Sequence, residues 1–238
     1  MKINILAFGV HPDDVELGCG GLLLNENNNG KTTGIIDITL GEMGTRGTVE
    51  IRLQEAKDAA KILGASVREN LKLEDAFFEN NRESKLRVIE VLRKYQPDVV
   101  ICNALWDRHP DHGRSNQLVE DACFLSGLFK IETTLENIKQ EPWRPNLVLH
   151  YIQDRFITPD FVVDVTDVWE KRMDAILAHK SQVYNPASDE PKTYIASKAF
   201  MENINSRAME FGRPCGFQFA EGYTCKKTIG LKTIAGLY

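Results

Sequence analysis

Short, almost wholly apolar segments alternate along this chain with longer amphipathic ones, and this alternation limits the fold more than any other sequence feature. Residues 3–10, 33–40 and 98–102 have the composition of strands that are covered on both faces of a parallel sheet. Residues 18–28 are interpreted as a short helix that ends in a turn at 27–30, and residues 49–63 have the periodicity of a helix that ends at a glycine. Strands that alternate with helices through short connections favour right-handed crossovers. We therefore predict an α/β fold with a doubly wound, mostly parallel sheet of Rossmann-like topology.

The remaining segments extend this pattern to the C-terminal part of the chain. We predict strands at residues 70–73, 147–151 and 161–165, and helices at residues 83–95, 112–126, 167–179 and 194–211. The chain has 238 residues and contains no internal repeat, low-complexity tract or linker. A single domain spanning residues 1–238 is therefore expected.

Composition excludes several functional classes. Lys and Arg number 29 and Asp and Glu number 34, which gives a net charge of −5. This balance argues against nonspecific binding to nucleic acid or to a membrane surface. The five cysteines form no C-x-x-C pair, and no apolar stretch approaches the ~18 residues of a membrane span. The first residues are expected to form a strand rather than a signal peptide, so the expected location is cytoplasmic.

Two short motifs carry the chemistry. Residues 11–14 read His-Pro-Asp-Asp directly after the first strand, and residues 109–112 read His-Pro-Asp-His soon after the strand at 98–102. Because ligands bind at the carboxyl ends of strands in an open parallel sheet, the two motifs are expected to meet. Two imidazoles and a carboxylate suit a divalent metal with an open position for water. We predict His11, Asp14 and His112 as ligands, with Asp13 as general base.

A different class of function is also open at this point. Residues 18–21 read Gly-Cys-Gly-Gly, which could imitate the glycine loop of a dinucleotide-binding protein whose histidines are structural. No complete G-x-G-x-x-G follows, so we interpret these glycines as close packing at a helix start. Metal content separates the two hypotheses, because only the enzyme should purify with about one metal ion per chain.

The motifs resemble the LmbE/PIG-L family of metal-dependent deacetylases, which remove the acetyl group from N-acetylglucosamine conjugates. The resemblance covers His-Pro-Asp-Asp-Val-Glu at 11–16, the glycines at 18–21 and His-Pro-Asp-His at 109–112. It implies one zinc ion per chain, with iron(II) as the other metal to consider, and a small-molecule partner. The residues that it implies for the reaction are the ligands His11, Asp14 and His112, the base Asp13, and His109, held by Asp111, as the electrostatic or acid partner toward the leaving amine.

Two further segments resemble the bacillithiol-biosynthesis branch of this family, which deacetylates N-acetylglucosaminyl-malate. These are residues 47–52 and 107–112, which contain Arg52 and Arg108. Both arginines are expected beside the metal, and a guanidinium fork suits a carboxylate, so we hypothesise that they bind the malate. Asp107 stands where some relatives carry a tyrosine that binds the developing oxyanion, and Tyr194 is the candidate replacement. Another N-acetyl sugar as substrate, and a homo-oligomeric state, stay open.

Overall fold

A single central sheet organises the part of the chain that the computed structural model describes, residues 1–231 and 233. Its seven strands are β1 (Ile5–Gly9), β2 (Thr33–Thr39), β3 (Val67–Leu73), β4 (Val99–Cys102), β7 (Leu147–Tyr151), β8 (Phe161–Asp164) and β9 (Ala220–Thr224). A separate hairpin pairs β5 (Thr134–Leu135) with β6 (Ile138–Lys139). The spatial order is β3-β2-β1-β4-β7-β9-β8, and all pairs are parallel except the two that involve β9.

Helices cover both faces of the sheet, which confirms the predicted doubly wound architecture. They are α1 (Asp14–Asn28), α2 (Val49–Leu63), α3 (Arg82–Tyr95), α4 (Pro110–Leu125), α5 (Trp169–Leu177) and α6 (Lys198–Gly212). Alternate residues of β1 point to opposite faces, as strand geometry requires. Ala7 packs in the apolar core shared with α1, α5 and α6, whereas Leu6 and Phe8 pack in the core under α3 and α4.

Helix α1 begins earlier than the sequence predicts, at Asp14 rather than at residue 18. The Asp14 carboxylate accepts hydrogen bonds from the backbone N–H groups of Val10 and His11, which fixes the turn between β1 and α1. The helix kinks at Cys19, whose φ is −146° and ψ is 17°. Because glycine disfavours helix, the glycine-rich stretch hid the first turn from periodicity analysis.

The glycines of α1 serve close packing, as predicted. A Cβ on Gly18 would lie 2.1 Å from the ring of Tyr151, and one on Gly21 would lie 2.6 Å from Val165. Cys19 is fully buried, and burial raises the pKa of its thiol well above the usual value. These contacts account for the glycines without a dinucleotide, so they remove the main support for the nucleotide-binding hypothesis.

Strand β9 was missed from the sequence because two of its residues break the apolar pattern. Its five residues are all buried, yet they include Glu221 and Gly222. Glu221 accepts hydrogen bonds from the backbone N–H groups of Gly21 and Leu22 and pairs with Arg172 at 2.8 Å. Buried carboxylates are uncommon and need such partners. Tertiary contacts therefore place this strand.

Other boundaries follow the predictions within a few residues. Helix α2 ends at Gly64, which adopts a φ of 74°. The helix predicted at 167–179 is shorter in the structure: α5 ends at Leu177, which is 45% exposed. The predicted helix at 194–211 begins only at Lys198 in the structure. The Ser197 side chain caps this helix by accepting a hydrogen bond from the backbone N–H of Phe200. No helix among the described residues is both long enough and apolar enough to cross a membrane.

Candidate metal centre and active site

The two sequence motifs meet at the centre of the sheet. Strands β1 and β4 pair in parallel, with Ile5 opposite Val99, so their carboxyl ends lie side by side. His11 lies two residues after the end of β1. His109 is the N-cap residue of α4 and Pro110 occupies its first turn, a position where proline loses no helical hydrogen bond. The rule that ligands bind at the carboxyl ends of parallel strands therefore predicted the location of the site correctly.

The carboxylate of Asp14 lies between the two histidines that are predicted to bind the metal with it. Asp14 Oδ2 lies 3.5 Å from His11 Nδ1, and Asp14 Oδ1 lies 3.3 Å from His112 Nε2. Asp14 and His112 are buried and His11 is nearly so. One carboxylate between two imidazole nitrogens is a donor set that zinc accepts in catalytic sites.

The outer nitrogen of each histidine is held by a carboxylate. His11 Nε2 lies 3.0 Å from Asp75 Oδ1, and His112 Nδ1 lies 2.7 Å from Asp107 Oδ2. Such pairs fix the orientation of a metal-binding imidazole and leave the other nitrogen for the ion. Asp107 thus supports His112 and does not replace the oxyanion-binding tyrosine of some relatives. The chemistry of the donor set and its support fit a divalent metal ion.

The protonation of the site agrees with this assignment. Burial lowers the pKa of His11, but hydrogen bonds to Asp14 and Asp75 outweigh it and raise that pKa to about 10. Burial also lowers the pKa of His112, while the charge of Asp14 and a hydrogen bond to Asp107 raise it to about 9. Without a cation, both histidines therefore retain protons near neutral pH. A metal ion would displace those protons, since ligand histidines must be neutral.

His109 contributes a third imidazole to the same cluster. Its ring centroid lies 4.7 Å from that of His11 and 5.5 Å from that of His112, and the three rings offer nitrogens within 4.8 Å of one another. Burial lowers the pKa of His109, and the charges of His11 and His112 lower it further. Its ring is half-buried and lines the cavity described below. This position suits the predicted role toward the leaving group.

Asp111 contacts His109 through its backbone rather than through its carboxylate. The backbone N–H of Asp111 donates to His109 Nδ1 at 3.3 Å. The Asp111 carboxylate instead accepts from the backbone N–H of Ala76 at 3.0 Å and from Arg114 Nη1 at 2.7 Å. Because the Ala76 N–H and Arg114 already engage this carboxylate, the contact between Asp111 and His109 is made by the backbone N–H.

Asp13 lies beside the cluster and next to an arginine. Its carboxylate is almost fully buried, and Oδ2 lies 3.6 Å from Arg52 Nη2. Arg52 Nη1 donates to the carbonyl of Gly41 at 2.8 Å, and its buried Nε has no hydrogen-bond partner among the described residues. Asp13 therefore has a fixed neighbour on one side and the cavity on the other, which suits a general base.

A cavity of about 220 Å³ opens over these residues. Arg108 and Tyr194 form part of its wall, where the guanidinium carbon of Arg108 lies 4.5 Å from the centre of the Tyr194 ring. Asp154 accepts from Arg108 Nε at 2.9 Å and from the Tyr194 hydroxyl at 2.9 Å. Because its hydroxyl already donates to Asp154, Tyr194 supports Arg108 in this geometry. All predicted site residues except Asp111, which lies just beneath, therefore line one cavity.

Sequence reasoning missed two supporting residues. Asp75 lies in the loop after β3, and Gln153 follows β7 and donates from Nε2 to Asp14 Oδ1 at 2.7 Å. Both loops leave the carboxyl ends of strands that were predicted. The rule that located the two histidine motifs would have pointed to these loops as well, although neither contains a recognisable motif.

Comparison with known proteins agrees with the geometry. Residues 6–123 match the family described as PIG-L: GlcNAc-PI de-N-acetylase. The chain is 27% identical over 229 residues to the diacetylchitobiose deacetylase of Thermococcus kodakarensis, covering 92% of this chain and 81% of the relative. It is 34% identical over 126 residues to the uncharacterized deacetylase YaiS of Escherichia coli, covering 50% and 68%.

A solved structure shows the same fold over nearly the whole length. The conserved protein TT1542 from Thermus thermophilus superposes with a TM-score of 0.84 at 31% identity, covering 97% of this chain and 98% of that one. The matched family segment contains both histidine motifs, and the structure brings them together around a donor set for a divalent ion. The chain belongs to the PIG-L family and is a metal-dependent de-N-acetylase, a hydrolase that acts on an amide bond.

Proposed function

We propose that this deacetylase acts on N-acetylglucosamine joined to a carboxylate-bearing group, with N-acetylglucosaminyl-malate as the candidate substrate. The observation that carries this proposal is the position of Arg108 in the cavity wall. Its Nε is bound to Asp154, but Nη1 and Nη2 have no hydrogen-bond partner within residues 1–231 and 233. Its side chain is 38% exposed, so these two donors are open to a ligand. A planar guanidinium with two free donors binds a carboxylate well.

The two arginines have unequal roles in this proposal. Arg52 is buried, and its guanidinium is already engaged by Gly41 and Asp13. It would have to give up one of these contacts to bind malate, whereas Arg108 would lose none. We therefore assign the carboxylate mainly to Arg108, and we assign to Arg52 the placement of the Asp13 carboxylate.

The reaction can be followed through the side chains of this chain. His11, Asp14 and His112 would hold the metal ion, which when bound would supply a Lewis acid for the acetamide carbonyl and would lower the pKa of water. Asp13 takes the proton that water loses as its oxygen adds to the carbonyl carbon. That proton then passes through His109 to the sugar nitrogen as the carbon–nitrogen bond breaks, so the proton that water loses is the one that the amine gains. The products are acetate and a free amine.

Substrate comparison tests the proposal. N-acetylglucosaminyl-malate, free N-acetylglucosamine and diacetylchitobiose are supplied to the wild type and to Arg108→Ala and Arg52→Ala, and acetate release is measured. Loss of one charge-assisted contact costs about 1.5–3 kcal/mol, or roughly 10- to 150-fold in kcat/KM. Arg108→Ala should lose this factor on the malate conjugate alone, because the other two substrates lack a carboxylate.

The variants also separate the two arginines. Arg52→Ala should slow all three substrates together, since Asp13 acts on each of them. If Arg108→Ala slows all three equally, or slows none, Arg108 does not bind the carboxylate. A wild-type preference for diacetylchitobiose over the malate conjugate would replace the proposed substrate with a neutral disaccharide.

A further inference from the structure

The loop after β3 brings one buried carboxylate against a metal ligand from outside the cluster. Asp75 is 3% exposed, and its Oδ1 lies 3.0 Å from His11 Nε2. Its other oxygen, Oδ2, accepts from the backbone N–H of Met43 at 3.0 Å. Both oxygens therefore have a fixed partner, one of which belongs to the metal centre and the other to the wall of the cavity.

The backbone around Asp75 is anchored on both sides. The N–H of Asp75 donates to Glu42 Oε1 at 2.9 Å. The N–H of Ala76 donates to Asp111 Oδ2, and its carbonyl accepts from Arg114 Nη1 at 2.9 Å. Ala76 adopts a φ of 66°, a left-handed conformation that is unfavourable for a non-glycine residue. These bonds hold a strained loop in place, which is the arrangement expected where a side chain must be positioned accurately.

We propose that Asp75 is a positioning residue, which holds His11 with a proton on Nε2 and so presents Nδ1, beside Asp14, to the metal ion. His11 follows β1 in a turn, so its backbone alone leaves the ring free to rotate. A carboxylate can only accept a hydrogen bond, and Asp75 therefore selects the form of the ring that carries the proton on Nε2. This inference rests on the assigned metal ligands and not on the identity of the substrate.

Asp75 could instead be a ligand of a second ion together with His11 and Asp111, since their donor atoms lie close enough. The charges argue against that arrangement. Asp111 Oδ1 already pairs with Arg114 Nη1 at 2.7 Å, and Oδ2 already accepts from the Ala76 N–H. A second ion there would have to compete with a guanidinium for the same carboxylate.

Asp75→Asn tests the proposal because an amide cannot satisfy both neighbours. If its oxygen accepts from the Met43 N–H, its NH₂ faces His11 Nε2, and the ring must move its proton to Nδ1, where the metal binds. If its oxygen faces His11, the NH₂ opposes the Met43 N–H. Either orientation should weaken zinc binding, and loss of such a partner typically costs 10- to 100-fold in affinity. Glu42→Gln is the matched control, because it removes a neighbouring charge, keeps an acceptor for the Asp75 N–H and does not touch His11.

Two measurements are made on the full chain without use of a substrate. The first is the zinc dissociation constant of the wild type, Asp75→Asn and Glu42→Gln, determined by competition with a chromophoric chelator. A 10- to 100-fold weakening in Asp75→Asn alone is expected, with one zinc ion per chain in the wild type. Unchanged affinity, or two zinc ions in the wild type and one in the variant, would overturn the proposal.

The second measurement does not depend on a variant that folds. In the ¹⁵N spectrum of the zinc-loaded wild type, the His11 ring should show a protonated Nε2 and a metal-bound Nδ1. A protonated Nδ1 with the metal on Nε2 would refute the positioning role directly. Asp107→Asn should have the corresponding effect on His112. Because Asp107 faces Nδ1 of that ring, the variant should disfavour a proton on Nδ1 and so weaken zinc binding through Nε2.

Discussion

Replacing Asp13 with asparagine separates catalysis from metal binding. The Asp13 carboxylate is nearly buried and its Oδ2 faces Arg52 Nη2 at 3.6 Å, whereas Asp14 lies between the two ligand histidines. Asparagine keeps the shape of the side chain and can still accept from Arg52, but it cannot take a proton from water at neutral pH. A general base contributes roughly 10²- to 10⁴-fold, which corresponds to about 3–5 kcal/mol of the barrier.

The assay compares kcat for acetate release with metal content from elemental analysis of the same sample. We expect Asp13→Asn to retain about one metal ion per chain and to lose roughly 10²- to 10⁴-fold in kcat. Asp58→Asn, an exposed carboxylate on α2 that pairs with Lys61, controls for the loss of one negative charge. Near-normal turnover in Asp13→Asn would assign the base to another residue. Loss of the metal would show that Asp13 is a ligand.

Three further predictions concern proton release, the pH dependence of stability and packing. Zinc binding to the metal-free protein near neutral pH should release about two protons, because the pKa of His11 is raised to about 10 and that of His112 to about 9. Calorimetry in two buffers of different ionisation enthalpy measures the number of protons released. No release would contradict the ligand assignment. Because both pKa values are raised above the usual 6.5, the protonated histidines stabilise the metal-free fold. This contribution to the free energy of unfolding is fully present below pH 6.5 and should be lost as the pH rises through 9 to 10. Urea unfolding at a series of pH values measures it. Gly18→Ala should cost at least ~1–3 kcal/mol in thermal unfolding, since its Cβ would lie 2.1 Å from the Tyr151 ring. Gly20→Ala, whose Cβ would meet its nearest neighbour at 3.4 Å, should be tolerated, and equal losses in both variants would refute the packing argument.

The sequence predicted the site well where one rule of topology sufficed. Parallel strands align their carboxyl ends, so two motifs placed after β1 and β4 had to meet, and His11, Asp14 and His112 do meet. The prediction needed only the strands and their order along the chain.

The partners of these side chains could not be predicted in the same way. Asp107 and Asp75 hold the two histidines, and the carboxylate of Asp111 turns to Arg114 rather than to His109. These pairings depend on loop conformations and on the first turn of α4, where a shift of one residue redirects a side chain. The hydrophobic periodicity of the sequence does not indicate which partner each of these side chains contacts.

The missed strand has a related cause. Strand β9 is buried but contains Glu221, which Arg172 and two backbone N–H groups of α1 neutralise and bind. Its partners lie about 50 and 200 residues away along the chain, so a local pattern could not reveal why a carboxylate is tolerated there.

The metal content of the wild type and of His112→Ala tests the central claim most directly. His112 Nε2 points at Asp14 Oδ1 from 3.3 Å, and Asp107 fixes the ring, so removal of the imidazole takes away one of three proposed ligands. Elemental analysis of both proteins after dialysis against trace zinc should give about one ion per chain in the wild type and little in the variant, together with loss of acetate release. Full occupancy in His112→Ala, or a wild-type protein that deacetylates its substrate while free of metal, would contradict the account.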